Sequence, residues 1–383
     1  MALHFERTEF DARRDRLMIE MAEKKLDAIV LFAQESMYWL TGYDTFGFCF
    51  FQSLVVMADG SMTLLTRSAD LRQARHTSTI DNIVVWTDRD NANPTLDLRN
   101  LLNDLGLLGM RIGVEYDTHG LTAFNGRRLD EQLQTFGQIV DASGIVGRLR
   151  LFKSPAEIEK AEKAAKLSDD ALDAALPLIK QGGDEAEILA AMQGAIFTGG
   201  GDYPANEFII GSGPDALLCR YKSGRRKLNK NDQLTLEWAG VFNHYHAPMM
   251  RTVLTGKASK RHQELYDACL DSLLAVEKAM TPGNSFGDVF DAHARSLEAN
   301  GLTKHRLNAC GYSVGARFTP SWMDTPMFYQ GNPEPIAPNM TLFAHMIIMD
   351  SETETAMTLG RTYLTTESAP KPLSRHALDL IVR

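Results

Sequence analysis

Just short of its midpoint the chain reads RLRLFKSPAEIEKAEKAAKLSDDALDAAL, from Arg148 to Leu176, and no other stretch constrains the fold as strongly. Ser154 can cap a helix, Pro155 suits a first turn in which its missing N–H costs nothing, and Glu157 offers the returning carboxylate of a capping box. A long helix therefore begins at Ser154, and what precedes it must fold without it. The boundary near 148 to 153 divides the 383 residues into segments 1–148 and 153–383, each long enough to bury its own core.

With 44% hydrophobic and 23% charged residues the composition is that of a globular protein. A net charge of -9 works against nucleic acid or an anionic membrane as partner, because both need a net-basic footprint. The opening MALHFERTEFDARRDRL has no apolar signal segment, and nowhere do about 18 uncharged apolar residues run together, so a cytoplasmic location is expected. Cys49, Cys219, Cys269 and Cys310 are scattered. They read as reduced thiols, mostly packed as small hydrophobes.

Apolar residues at Phe10, Leu17, Met21 and Leu26 give a helical period from Glu6 to Lys25, followed by a buried strand over 27–33. Strands follow over 53–58, 61–66 and 82–87, with Asp59-Gly60 turning a hairpin between the first two, then a helix over 94–105 and a strand over 111–116. This alternation predicts an α/β domain with a mixed sheet. In the second segment the helix at Ser154 stops by Gly182-Gly183, another runs over 184–197, and Gly199-Gly200-Gly201 opens a loop. That glycine run follows a helix and lacks the Lys-Ser/Thr of a phosphate cradle. Strands at 208–211, 233–239, 250–256, 341–349 and 361–366, with helices at 259–280 and 286–300, predict an α+β domain of helices on an antiparallel sheet.

Several segments carry a family resemblance. KSPAEIEKAEKAAKLSDDAL (153–172), FIIGSGPDA (208–216), NDQLTLEWAG (231–240), MRTVLTG (250–256), GYSVG (311–315) and APNMTLFAHMII (337–348) resemble, in order and spacing, the catalytic domain of the creatinase/prolidase/aminopeptidase P (M24) superfamily. YWLTGYDTFGF (38–48) resembles its N-terminal domain. The resemblance implies a creatinase-type α/β domain followed by a pita-bread domain, a small-molecule substrate, and a homodimer in which Tyr43, Phe46 and Phe48 line the partner's site.

Metallopeptidases of the superfamily hold two ions with two Asp, one His and two Glu. The resemblance places Glu237 and Pro248 at the Asp positions, Tyr312 at the His, and His345 and Gly360 at the Glu positions. Proline and glycine bring no ligand atom, so this set implies neither a two-metal site nor any other cofactor. Arg220 falls where creatinase carries its histidine. The metal-free branch that includes creatinase and ectoine hydrolase is therefore the better comparison, and it implies hydrolysis of a C–N bond in a small nitrogenous carboxylate: a cyclic amidine, a guanidino acid or a related compound.

The period of two in LTLEW puts Leu234, Leu236 and Trp238 on one face and Thr235 with Glu237 on the other. Glu237 is the candidate nucleophile or general base, against the alternative of a solvated charge. His345 shares a strand face with Phe343 and Ile347, as proton shuttle or as packed core histidine. Tyr312 can donate a phenolic hydrogen bond. The basic run Arg220 to Lys227 is ordinarily a solvated loop; Arg220 within it, and Arg251, are candidates to grip a carboxylate. His244 and His246, two apart on a predicted hairpin in a spacing that would put both on one strand face, are candidate substrate contacts or solvated hairpin-tip residues, whereas Trp322, Phe318 and Phe328 read as core or pocket wall. Two rival functions stay open: an Xaa-Pro peptidase with a metal site rebuilt from His244, His246 and Glu237, and a binding protein that lost its chemistry.

Overall fold

The computed structural model describes residues 3–221 and 224–383, so Lys222 and Ser223 of the basic run lie outside the described residues. The chain forms two compact units, Met1–Arg150 and Leu151–Arg383.

In the first unit the elements are α1 (Arg7–Glu23), β1 (Ala28–Leu31), α2 (Gln34–Thr41), β2 (Ser53–Met57), β3 (Met62–Arg67), α3 (Ser68–Thr77), β4 (Asn82–Trp86), α4 (Pro94–Asp104), β5 (Arg111–Val114), α5 (Ala123–Leu133), β6 (Gln138–Asp141) and α6 (Ile145–Leu151). The strands form one mixed sheet in the order β4-β3-β2-β1-β5-β6. Alternation along β1 sends Ile29 and Leu31 into one core with Leu17, Met21 and Trp39, and Ala28 and Val30 into another with Leu98, Leu102 and Leu129. Helices thus cover both faces, as the predicted α/β pattern requires. The hairpin turns at Gly60, whose φ of +84° favours glycine. Helix α2 has no sequence periodicity to reveal it because all eight of its residues are buried.

The second unit contains α7 (Pro155–Ala175), α8 (Glu185–Thr198), β7 (Ile209–Ser212), β8 (Asp232–Phe242), β9 (Tyr245–Thr255), α9 (Lys260–Ala279), α10 (Phe286–Ala299), β10 (Gly311–Ser313), β11 (Asp324–Met327), β12 (Thr341–Asp350), β13 (Thr355–Leu364), β14 (Lys371–Pro372) and β15 (Ile381–Val382). Both halves of the capping box at Ser154 and Glu157 are made. The main sheet runs β11-β10-β12-β13-β9-β8-β7, antiparallel at every step.

Two contacts seat α7 on this sheet. The Trp238 indole donates to the Ser168 carbonyl at 2.8 Å. Gly240 lies so close to the helix that a Cβ there would stand 2.0 Å from the Ala164 oxygen. Leu234, Leu236 and Trp238 therefore face helix, and the alternate residues of β8 face the other side of the sheet. No helix of the described residues is long and apolar enough to cross a membrane.

Candidate active site

The strand register assembles the site. Ile209, Glu237, Met250, Gly360 and His345 lie in one row across β7, β8, β9, β13 and β12. Paired residues in an antiparallel sheet point to the same side, so Glu237 and His345 share the face away from α7. Tyr312 on β10 pairs with Phe343, two residues from His345, and joins that face. Three of the predicted residues, distant in sequence, thus come together.

The Tyr312 hydroxyl donates to Glu237 Oε1 at 3.4 Å and accepts from Trp322 Nε1 at 3.0 Å. The Tyr312 and His345 ring centroids are 5.6 Å apart, and Phe343 lies 5.4 Å from each. Burial pushes Glu237 up to about 7, against the opposing pull of the Arg220 charge and the Tyr312 hydrogen bond. Burial drives His345 down to about 3, aided by His293 and Arg220. Tyr312 is held well above its ordinary value by burial and by Glu237, and stays protonated. Arg220 is exposed, yet its charge reaches Glu237, Tyr312 and His345. Two buried polar atoms on this face, Thr235 Oγ1 and His345 Nδ1, have no hydrogen-bond partner among the described residues.

Other predicted residues lie elsewhere. Arg251 pairs in register with Leu236, on the helix side of the sheet. Its Nη1 donates to the carbonyls of Met250 and Gly360 at 2.8 and 2.6 Å, so it cannot grip a substrate beside Glu237. His244 is not on a strand: Asn243 and His244 both have positive φ and form the β8–β9 turn, so the expected shared strand face with His246 does not exist. His244 stacks on Phe318 at 4.2 Å instead. His246 is buried and held down to about 3 by burial first. Its Nε2 accepts from Ala205 N at 2.9 Å and its Nδ1 meets the Gly315 carbonyl at 3.4 Å, which leaves neither ring nitrogen for a substrate. Tyr43 packs in the core of its own unit with its hydroxyl on Gln52 at 3.1 Å, so it cannot present itself to a partner. Phe46 is 79% exposed and Phe48 half-buried. Within the basic run, Arg226 is spent on Ser212, to which its Nη1 donates at 2.6 Å.

These residues do not fit a pair of metal ions. Pro248 carries no donor. Gly360 carries none either, and a Cβ there would sit tightly, 3.0 Å from the Ala344 oxygen and 3.1 Å from His345 Cα. The ligand atoms of His244, His246 and Glu237 do not converge. Among the described residues one triplet does, His305, Asp350 and Glu352. It lies at the end of β12, where Asp350 is already engaged by Arg261 at 2.6 Å and Glu352 by Lys304 at 2.5 Å.

Sequence reasoning missed two participants. Trp322 reads as core or pocket wall, and it is buried, but its indole also anchors Tyr312. Cys219 reads as filler, yet its thiol is pushed up by burial and then by the nearby Glu237. Both sit outside periodic elements, where no pattern reveals the direction of a side chain.

Residues 13–152 match the creatinase/prolidase N-terminal domain and residues 159–367 match metallopeptidase family M24. The chain is 26% identical to a protein named ectoine hydrolase from Halomonas elongata, over 100% of this chain and 99% of that one. It is 22% identical to an Xaa-Pro dipeptidase from Pyrococcus furiosus, over 79% and 82% of the two. The solved structure of dipeptidase PepE from Mycobacterium ulcerans superposes with a TM-score of 0.86 at 21% identity, covering 99% of both chains. The two family matches, with the sheet topology, place the chain in metallopeptidase family M24, as a hydrolase built from a creatinase-type α/β domain and a pita-bread domain.

Proposed function

We propose that the protein hydrolyses a C–N bond of a small, nitrogen-containing carboxylate, such as a cyclic amidine or a guanidino acid, without a metal ion. The observation that carries this reading is Glu237: a buried carboxyl raised to about 7 and hydrogen-bonded by Tyr312, in a row whose donors do not fit two ions. The likeness to a protein named ectoine hydrolase supports it.

A carboxyl that titrates near neutral pH can take a proton and return it within one turnover. Glu237 accepts a proton from water as the water oxygen bonds to the electrophilic carbon. The same proton then passes to the leaving nitrogen as the C–N bond breaks. Tyr312 stays protonated and orients the reacting group. His345, neutral across the physiological range, offers its unpartnered Nδ1 as a hydrogen-bond site rather than carrying the proton. Arg220 meets the substrate carboxylate at the exposed side.

The test is turnover of ectoine, creatine and an Xaa-Pro dipeptide, with and without chelator, by the wild type and by Glu237→Gln. Chelator-resistant turnover of a small amidine or guanidino acid, reduced at least about 100-fold in Glu237→Gln, is the expected result. Full activity in that variant, or peptide cleavage abolished by chelator, would sink the reading.

A further inference from the structure

A hydroxyl can point its proton either way, and at Tyr312 the neighbours decide. An indole N–H can only donate, so at 3.0 Å from Trp322 Nε1 the Tyr312 oxygen must accept, and its own proton is left for Glu237 Oε1. Trp322 thereby sets the polarity of the only side-chain hydrogen bond to Glu237 seen among the described residues.

Trp322 is itself held from outside the sheet. Its backbone N–H donates to Asn206 Oδ1 at 3.0 Å, and Asn206 lies on the loop between α8 and β7. That loop is tied down one residue earlier, where Ala205 N donates to His246 Nε2 at 2.9 Å. With Nε2 accepting, His246 carries its proton on Nδ1, which faces the Gly315 carbonyl at 3.4 Å. His246 N also donates to Gly315 O at 3.1 Å, and Arg317 N to His244 O at 3.0 Å. The segment from Gly315 to Trp322 is thus pinned at both ends, by the β8–β9 hairpin and by Asn206.

We propose that Asn206 and Trp322 are positioning residues that fix the Tyr312 hydroxyl as a donor to Glu237, with His246 latching the loop that carries Asn206. This deepens the role given to Glu237 above, but it rests on hydrogen-bond geometry and needs no substrate. A hydrogen bond donated to a carboxylate favours its ionised form, so loss of the arrangement leaves Glu237 harder to ionise. The other titratable groups close to Glu237 are Arg220 and Cys219 beyond β7, and His345 lies in its row on β12. Among the described residues none of them hydrogen-bonds to Asn206 or Trp322, whose own bonds run to Glu207, Tyr312 and each other.

The experiment is an infrared titration of the Glu237 carboxyl, identified by the band lost in Glu237→Gln, in the wild type, Trp322→Phe and Asn206→Ala. Trp322→Phe keeps an aromatic ring and removes the N–H. It is expected to raise the ionisation pH of Glu237 by about one unit, with Asn206→Ala moving it in the same direction by less. An unchanged titration in folded Trp322→Phe overturns the hydroxyl's imposed direction. A shift there with none in folded Asn206→Ala overturns the part given to Asn206. Should Asn206→Ala fail to fold, Trp322→Phe alone decides. Shifted titrations with no turnover of any compound would support the positioning network while sinking the hydrolytic reading.

Discussion

At Glu237 two forces oppose each other: burial favours the neutral acid, and the Arg220 charge with the Tyr312 hydrogen bond favours the carboxylate. Burial wins, and the outcome can be measured as stability. The unfolded chain releases this proton near 4.5, whereas the native protein keeps it to about 7. Native stability therefore falls as pH rises through that window, by about 3 kcal/mol in all. Glu237→Gln, which has no proton to lose, is expected to melt several degrees above the wild type at pH 8 and to match it near pH 4. A variant no more stable than the wild type at pH 8 would mean that the carboxylate is not held against its preference. The face that Glu237 occupies was legible from the period of two in β8. That Arg251, ten residues beyond the end of LTLEWAGV in the paired strand, would face the opposite side was not. Register is set by the turn, and the positive φ of Asn243 and His244 fixes that turn as a two-residue one.

Elements differ in how much of their stability is local. The capping box at the start of α7 is a local device, and Ser154→Ala is expected to cost about 1 kcal/mol. Gly240 is a tertiary device. An added methyl meets the Ala164 oxygen at 2.0 Å and the Ser168 nitrogen at 2.3 Å, both backbone atoms that cannot rotate away. Gly240→Ala must therefore lift α7 from β8 and strain the Trp238 hydrogen bond, at a cost of about 3 kcal/mol or more. Urea unfolding of the two variants checks the contrast, and equal losses would contradict it. The same distinction explains which elements could be read. Helix α7 has a cap, a proline and a long periodic pattern. Helices α2, α3 and α5 have 8, 10 and 11 residues, and the first is buried on every side, so their existence depends on packing rather than on pattern.

Across the second unit, three buried histidines share one behaviour. Burial holds His246 down to about 3, His293 to about 4 and His345 to about 3. The unfolded chain takes up these protons near 6.5 and the native protein does not, so stability is lost as pH falls below that value. The three together amount to about 4 kcal/mol per pH unit, partly offset by the opposite trend of Glu237. Urea midpoints measured from pH 7 to pH 5 are expected to fall steadily, and a flat profile would show that these imidazoles are not kept neutral by the fold. The sequence by itself determined the start of α7 at Ser154, the α/β and α+β classes, the identity of the family and the faces of β8 and β12. Each of these follows from local periodicity, caps and motif order, which act within a few residues. Only the tertiary structure decided that Glu237, Tyr312 and His345 meet, that Arg251 and Tyr43 turn away, and that His246 ties loops and Trp322 anchors a hydroxyl. Those outcomes depend on the register of β7, β8, β9, β13, β12 and β10 and on loops without a period, and both are set by contacts between residues far apart in the chain.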